Sequence, residues 1–69
     1  MKNYRIEPAK VIEIIHIGDR NEAVAIGDRT GRLYRAINQK VAINERVIVF
    51  ERKFDGSFYF EPNDELIGW

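Results

Sequence analysis

The stretch Arg46 to Glu61, RVIVFERKFDGSFYFE, decides the fold. Two runs rich in β-branched and aromatic residues, Arg46 to Lys53 and Ser57 to Glu61, flank Phe54-Asp55-Gly56. Such runs pack well on a pleated sheet, and a glycine closing a short loop supplies the left-handed conformation that a bulged hairpin needs. A three-residue loop sets Phe50 across from Phe60 and Arg52 across from Phe58. A two-residue Asp-Gly turn would set Phe50 against Glu61, a poorer pair on a buried face. The three-residue loop is therefore expected. Pro62 ends the last strand, and residues 63–69 form an acidic tail with an apolar tip of Leu66, Ile67 and Trp69.

Working outward, Lys10 to Ile17 (KVIEIIHI) carries apolar residues at both parities, which predicts a strand buried on both faces for part of its length. Ala23 to Ile26 is a second short strand, ended by Gly27-Asp28-Arg29-Thr30-Gly31. Arg32 to Ile37 alternates, with Leu33 and Arg35 on one face and Tyr34 and Ala36 on the other. Asn38 to Asn44 is too short for much of a helix. Five short strands with regular turn signals point to an all-β fold, a small five-stranded antiparallel barrel of oligonucleotide-binding (OB) type. A Src-homology-like barrel is the alternative. Curling is expected because a flat sheet would expose an apolar face and two open edges. The near-repeat Ile17-Gly18-Asp19-Arg20 and Ile26-Gly27-Asp28-Arg29 reads as recurrent turn chemistry.

Sixty-nine residues make one small domain, 1–69, which buries only about 60% of its unfolded surface. A hydrophobic content of 45% argues against disorder. Eleven Lys and Arg balance eleven Asp and Glu, so no overall charge draws the chain to nucleic acid or membrane. The absence of cysteine excludes disulfides and thiolate metal sites, and a single histidine cannot supply a zinc pair. No run approaches 18 apolar residues, and the N-terminus lacks the apolar core of a secretory signal, so a cytoplasmic chain without a membrane span is expected.

Chemistry-bearing patterns are sparse. His16 lies inside a strand without a serine or cysteine partner, Thr30 and Ser57 sit in turns, and no phosphate or calcium loop occurs. No catalytic function, cofactor or metal is expected. Charge is uneven along the chain: residues 29–53 carry seven cations against two carboxylates, while residues 54–69 carry four carboxylates and no cation. If the middle strands share one side, Arg32, Tyr34, Arg35, Lys40, Arg52, Lys53 and Tyr59 would form a basic stripe with aromatics. That is the combination single-stranded RNA or DNA requires, cations for phosphate and rings for stacking. The competing reading makes the phenylalanines core and the tyrosines boundary residues. The other class is a non-catalytic binding or adaptor module. It would contact a protein partner, or a second copy, through a strand edge or through Leu66, Ile67 and Trp69; the competing and favoured reading of that tip folds it back over an open end of the barrel.

From Gly31 to Pro62, GRLYRAINQKVAINERVIVFERKFDGSFYFEP resembles the C-terminal soluble barrel of NfeD-type membrane-associated proteins. The shared pattern is a Gly-x-x-aromatic-x-Ala strand, a short apolar link, a Val-x-Val strand, a glycine hairpin and a proline stop. The chain departs from that family at its start, where no Gly-x-x-Gly opens the first strand, and a preceding membrane span is not expected. The same stretch is similar to the barrels of bacterial translation initiation factor one and of ribosomal RNA-binding domains. That likeness implies RNA contacts through Arg32, Tyr34, Arg35 and the last hairpin.

Overall fold

A computed structural model describes residues 3–63 and contains five strands: β1 (Tyr4–Ile17), β2 (Arg20–Gly27), β3 (Leu33–Ile37), β4 (Arg46–Glu51) and β5 (Phe58–Pro62). They form one antiparallel sheet in the order β3-β2-β1-β4-β5, with no helix among the described residues. The all-β, five-stranded expectation is met at this level. No helix among the described residues is long and apolar enough to cross a membrane.

Strand β1 begins six residues earlier than the sequence pattern suggests, because Pro8 and the charges around it disguise its first half. Pro8 is tolerated in this central strand for a local reason. Its carbonyl accepts the Asp28 N–H at 2.9 Å, so the N–H it lacks would point beyond Gly27, the last residue of β2 in the ladder. Two irregularities bend β1, one between Arg5 and Glu7 and one between Val11 and Glu13. An inserted residue reverses the parity downstream. Val11 and Ile14 therefore both serve the core, while Ile12 is exposed. The mixed parity read from the sequence reflects this bulge, not burial on both faces.

The first half of β1 pairs with β4 and the second half with β2. This hand-over rolls the sheet until its edge strands approach. The Tyr34 and Phe58 rings meet edge to face, 5.1 Å apart at 80°. The Phe60 N–H donates to Gln39 Oε1 at 3.0 Å. No ladder joins β3 to β5, so the sheet is rolled but not closed. Inside lie Ala9, Val11, Ala23, Ala25, Tyr34, Ala36, Val47, Val49 and Phe60. Small faces large across the strands, as in Ala25 against Tyr34, which lets a roll of small radius fill its interior.

The hairpin register differs by one residue from expectation. Glu51 pairs with Phe58, Phe50 with Tyr59 and Val49 with Phe60. Arg52 N–H donates to Ser57 C=O and Gly56 N–H to Arg52 C=O, so four residues, Lys53 to Gly56, form the loop. The cause is Asp55, whose Oδ1 accepts both the Ser57 N–H at 2.9 Å and the Ser57 hydroxyl at 2.7 Å. Those bonds draw Lys53 into the turn and send Phe60 inward and Phe50 outward. Gly56 does hold the expected left-handed conformation, at φ 72°.

Candidate functional site

The expected basic stripe does not assemble as one surface. β3 and β4 are separated by β2 and β1 in the sheet order. Tyr34 is a core residue, 1% exposed, and presents no ring face to solvent. Arg32 stands 5.3 Å from that ring. Lys40 lies in the exposed β3–β4 loop. Arg35 pairs with Glu22 at 3.1 Å, and Arg46 with Asp28 at 3.3 Å, so two cations of the basic segment are met by carboxylates of β2 and its loop. Leu66, Ile67 and Trp69 lie outside the described residues.

What the roll does bring together is a cleft beside the seam. Arg35 and Ile37 of β3 face Arg52, Asp55, Ser57 and Phe58 of the last hairpin across a space of about 350 Å³. The walls are fixed locally. Arg52 donates to Ser57 Oγ at 3.1 Å, and the Ser57 N–H and hydroxyl hold the Asp55 carboxyl below its ordinary range. The Arg35 side chain is 68% exposed.

The two edges of the sheet are treated differently. Gly27 N–H donates to Arg32 C=O and Asn38 N–H to Asn21 C=O, which fixes the ladder parity. Tyr34 and Ala36 therefore turn their backbone toward β2, whereas Leu33, Arg35 and Ile37 turn theirs outward. On β5 the outward residues are Phe58, Phe60 and Pro62. Pro62 has no N–H, and the Phe60 N–H is taken by Gln39. Edge strands are usually blunted by proline, lysine or covering side chains. β5 is protected in this way. On β3 the same Gln39 donates its Nε2 to the outward Ile37 carbonyl at 3.3 Å and Arg35 pairs with Glu22, but among the described residues nothing covers the outward backbone of Leu33 and Arg35, and Leu33 and Ile37 are exposed.

A second cluster gathers at the hairpin end of the roll. The Arg52 guanidinium lies 4.7 Å from the Tyr59 ring, which stacks on Phe50 at 5.3 Å and 15°. Lys53 Nζ lies 5.9 Å from the Tyr4 ring, and Asn3 Nδ2 donates to the Tyr59 hydroxyl at 2.8 Å. Of the sequence candidates, Arg52, Lys53 and Tyr59 meet here. Tyr4 and Phe50 join them unforeseen, because the hairpin register and the early start of β1 place them.

Glu7 escapes sequence reading entirely. It sits on β1 facing the interior, 4% exposed. The Tyr34 hydroxyl donates to its Oε2 at 2.5 Å and the Thr30 hydroxyl at 2.6 Å, while Oε1 accepts the N–H groups of Arg29 and Thr30 at 2.9 and 3.2 Å. The Thr30 hydroxyl bond, then that of Tyr34, outweighs burial and holds the carboxyl at about 2. Burial, then the hydrogen bond to Glu7, raises the Tyr34 phenol above its ordinary value. Every donor belongs to the β2–β3 connection or to β3, so the carboxylate ties that connection to β1. Gly27 leaves the room for it, since a Cβ there would overlap the carboxylate. The two Gly-Asp-Arg segments thus differ: Gly18 serves a turn at φ 62°, Gly27 a close approach.

His16 lies exposed opposite Asn21. Among the described residues no three of His, Asp and Glu gather as a metal ion would require. With the geometry in view, comparison with known proteins adds no relative: the chain matches no family model, no curated protein and no solved structure.

Proposed function

We propose that this chain is a non-catalytic binding module that takes up an extended segment of a protein partner along β3. The observation that carries the reading is the asymmetry of the two edges. One is guarded by Pro62 and Gln39, and the other, where Gln39 Nε2 takes only the Ile37 carbonyl, offers backbone at Leu33 and Arg35 that no described residue pairs, beside a cleft lined by Ile37 and Phe58. Addition of a strand to an open edge draws affinity from main-chain hydrogen bonds and selectivity from alternate side chains. The strand order and the approach of β3 to β5 also support classing the roll with five-stranded barrels of oligonucleotide-binding type.

Selection from a displayed random-peptide library tests the reading. Arg35→Pro removes an N–H that β2 does not use, and a proline is tolerated on an edge with that orientation. Peptides selected on the native chain should lose binding to Arg35→Pro and to Ile37→Lys, and should slow amide exchange at Leu33, Arg35 and Ile37. Peptides that bind both variants unchanged, or no selection at all, would refute the edge as the contact.

A second reading rests on the hairpin cluster. Arg52 and Lys53 against Tyr59 and Tyr4 provide cations beside rings, the pairing used by single-strand nucleic-acid binders, where a stacked base is worth about 1–3 kcal/mol. Fluorescence anisotropy with a labelled oligonucleotide at 50 and 200 mM salt decides it. Binding that weakens steeply with salt and is lost in Tyr59→Ala supports this reading. No binding at the lower salt removes it.

A further inference from the structure

We infer that the partner's segment enters the seam itself, as a sixth strand between β3 and β5, and that the side chain of Gln39 occupies its place in the free chain. The inference rests on the protein-binding reading above and adds where the segment lies and which residue competes with it.

The Gln39 amide bridges the two edges of the sheet. Its Nε2 donates to the Ile37 C=O of β3 at 3.3 Å, and its Oε1 accepts the Phe60 N–H of β5 at 3.0 Å. These partners fix the orientation of the amide, because a carbonyl takes only the nitrogen's hydrogen and an N–H only the oxygen. A peptide group of an inner strand is used in the same way, its N–H serving one neighbouring strand and its C=O the other. Ile37 and Phe60 are outward residues of their strands. Gln39 therefore stands where one peptide group of an intervening strand would stand, and at that point the seam has the width of one peptide group.

Sheet order points the same way. All four ladders are antiparallel, so β3 and β5, at opposite ends of the order, run in the same direction. Paired directly they would make a parallel ladder, the weaker kind per residue. One strand between them, antiparallel to both, makes a closed roll of six strands with every ladder alike. It also meets the outward backbone of Leu33 and Arg35, which no described residue pairs. Tyr34 and Phe58 turn inward from the two edges and touch beneath the seam, so they form its floor.

Gln39 is suited to yield. Asn38, at φ 57°, carries the chain out of β3, so residue 39 belongs to the loop and only its side chain returns to the edge. Displacing it breaks two bonds, and a single peptide group of the entering strand remakes both, while the bonds at Leu33 and Arg35 are new. The side chain thus sets a threshold that an extended segment passes and a lone donor or acceptor does not.

The probe is a short peptide selected from the displayed library on the full native chain and followed by NMR titration. Binding should shift the Gln39 side-chain amide signals and slow exchange at Leu33 and Arg35, while the Phe60 N–H stays protected. A nitroxide on the peptide N-terminus should broaden Ile37 more than Leu33. Gln39→Met keeps the length of the side chain and removes both bonds from the free chain alone, so the peptide should bind it about tenfold more tightly. Should that variant not fold, the Gln39 signals of the native chain still decide. A peptide that protects Leu33 and Arg35 yet leaves those signals unmoved, or binds Gln39→Met no more tightly, overturns the inference and leaves the edge reading standing. The opposite nitroxide gradient overturns the antiparallel placement. Signals of a filled seam that grow with chain concentration in the absence of peptide put a second copy there and overturn the assignment to a separate partner. Failure to select any peptide removes the reading and the inference together.

Discussion

Glu7→Gln keeps the size of the side chain and removes its charge, and its cost can be worked from the structure. In the folded chain the Glu7 carboxyl is held at about 2, against an ordinary 4.5. A depressed carboxyl stabilises the fold fully above its unfolded value and loses that contribution as pH falls toward the folded value. The full linkage is about 3 kcal/mol at neutral pH. In so small a domain solvent screening leaves a part of it, on the order of 1–3 kcal/mol. Urea unfolding of the native chain and of Glu7→Gln at pH 7 should therefore differ by that amount, and most of the difference should be gone by pH 3. Taking the difference between the two chains cancels the titration of every other carboxylate, which both share. A gap below about 0.5 kcal/mol at pH 7 would refute the reasoning. A gap of the same size at pH 7 and pH 3 would also refute it, because the loss would then come from shape and not from charge.

Gly27→Ala places a methyl where the Glu7 carboxylate lies and should cost several kcal/mol in the same unfolding assay. Gly31→Ala meets nothing within 4 Å and bears only the conformational penalty of φ 72°, on the order of 1 kcal/mol. Tyr34→Phe removes one donor from Glu7 and should destabilise by about 1–3 kcal/mol at pH 7. In a double-mutant cycle with Glu7→Gln its cost should shrink, and full additivity would show that the two groups do not act together.

Local chemistry was legible and long-range pairing was not. Gly56 announced a left-handed position, and the alternation of Leu33, Tyr34, Arg35 and Ala36 already set Tyr34 beside Ala36, away from the exposed arginine. That parity, taken seriously, was the signal that Tyr34 belongs to the core. The hairpin register was missed because a side chain, Asp55, sets the loop length by binding Ser57. Glu7 was missed for a different reason. Its donors lie 22 to 27 positions away in sequence, and a glutamate flanked by isoleucine and proline looks like a solvated one until the roll closes over it. The same roll decides which arginines meet: Arg35 and Arg52 share a cleft though strands β2 and β1 lie between β3 and the β4–β5 hairpin in the sheet.

The composition of the core explains why an exposed apolar surface exists at all. A roll lined by Ala9, Ala23, Ala25 and Ala36 has room for few large side chains, and Tyr34, Phe60 and three valines take most of it. Ile12, Ile17, Leu33 and Ile37 are consequently left 41 to 63% exposed on β1 and β3. Completing the burial of one such residue is worth about 1 kcal/mol, half of the roughly 1.5–3 kcal/mol for a full side chain. Leu33 and Ile37 together thus contribute about one to two tenfold steps in affinity. That is too little to hold a partner by apolar contact alone once ordering costs are met. In the proposed reading, affinity at β3 therefore rests on the backbone groups of Leu33 and Arg35, on the Ile37 N–H and on the two guanidinium groups beside them. An extended, acidic segment can satisfy both sets of groups, whereas a flat apolar surface can satisfy neither.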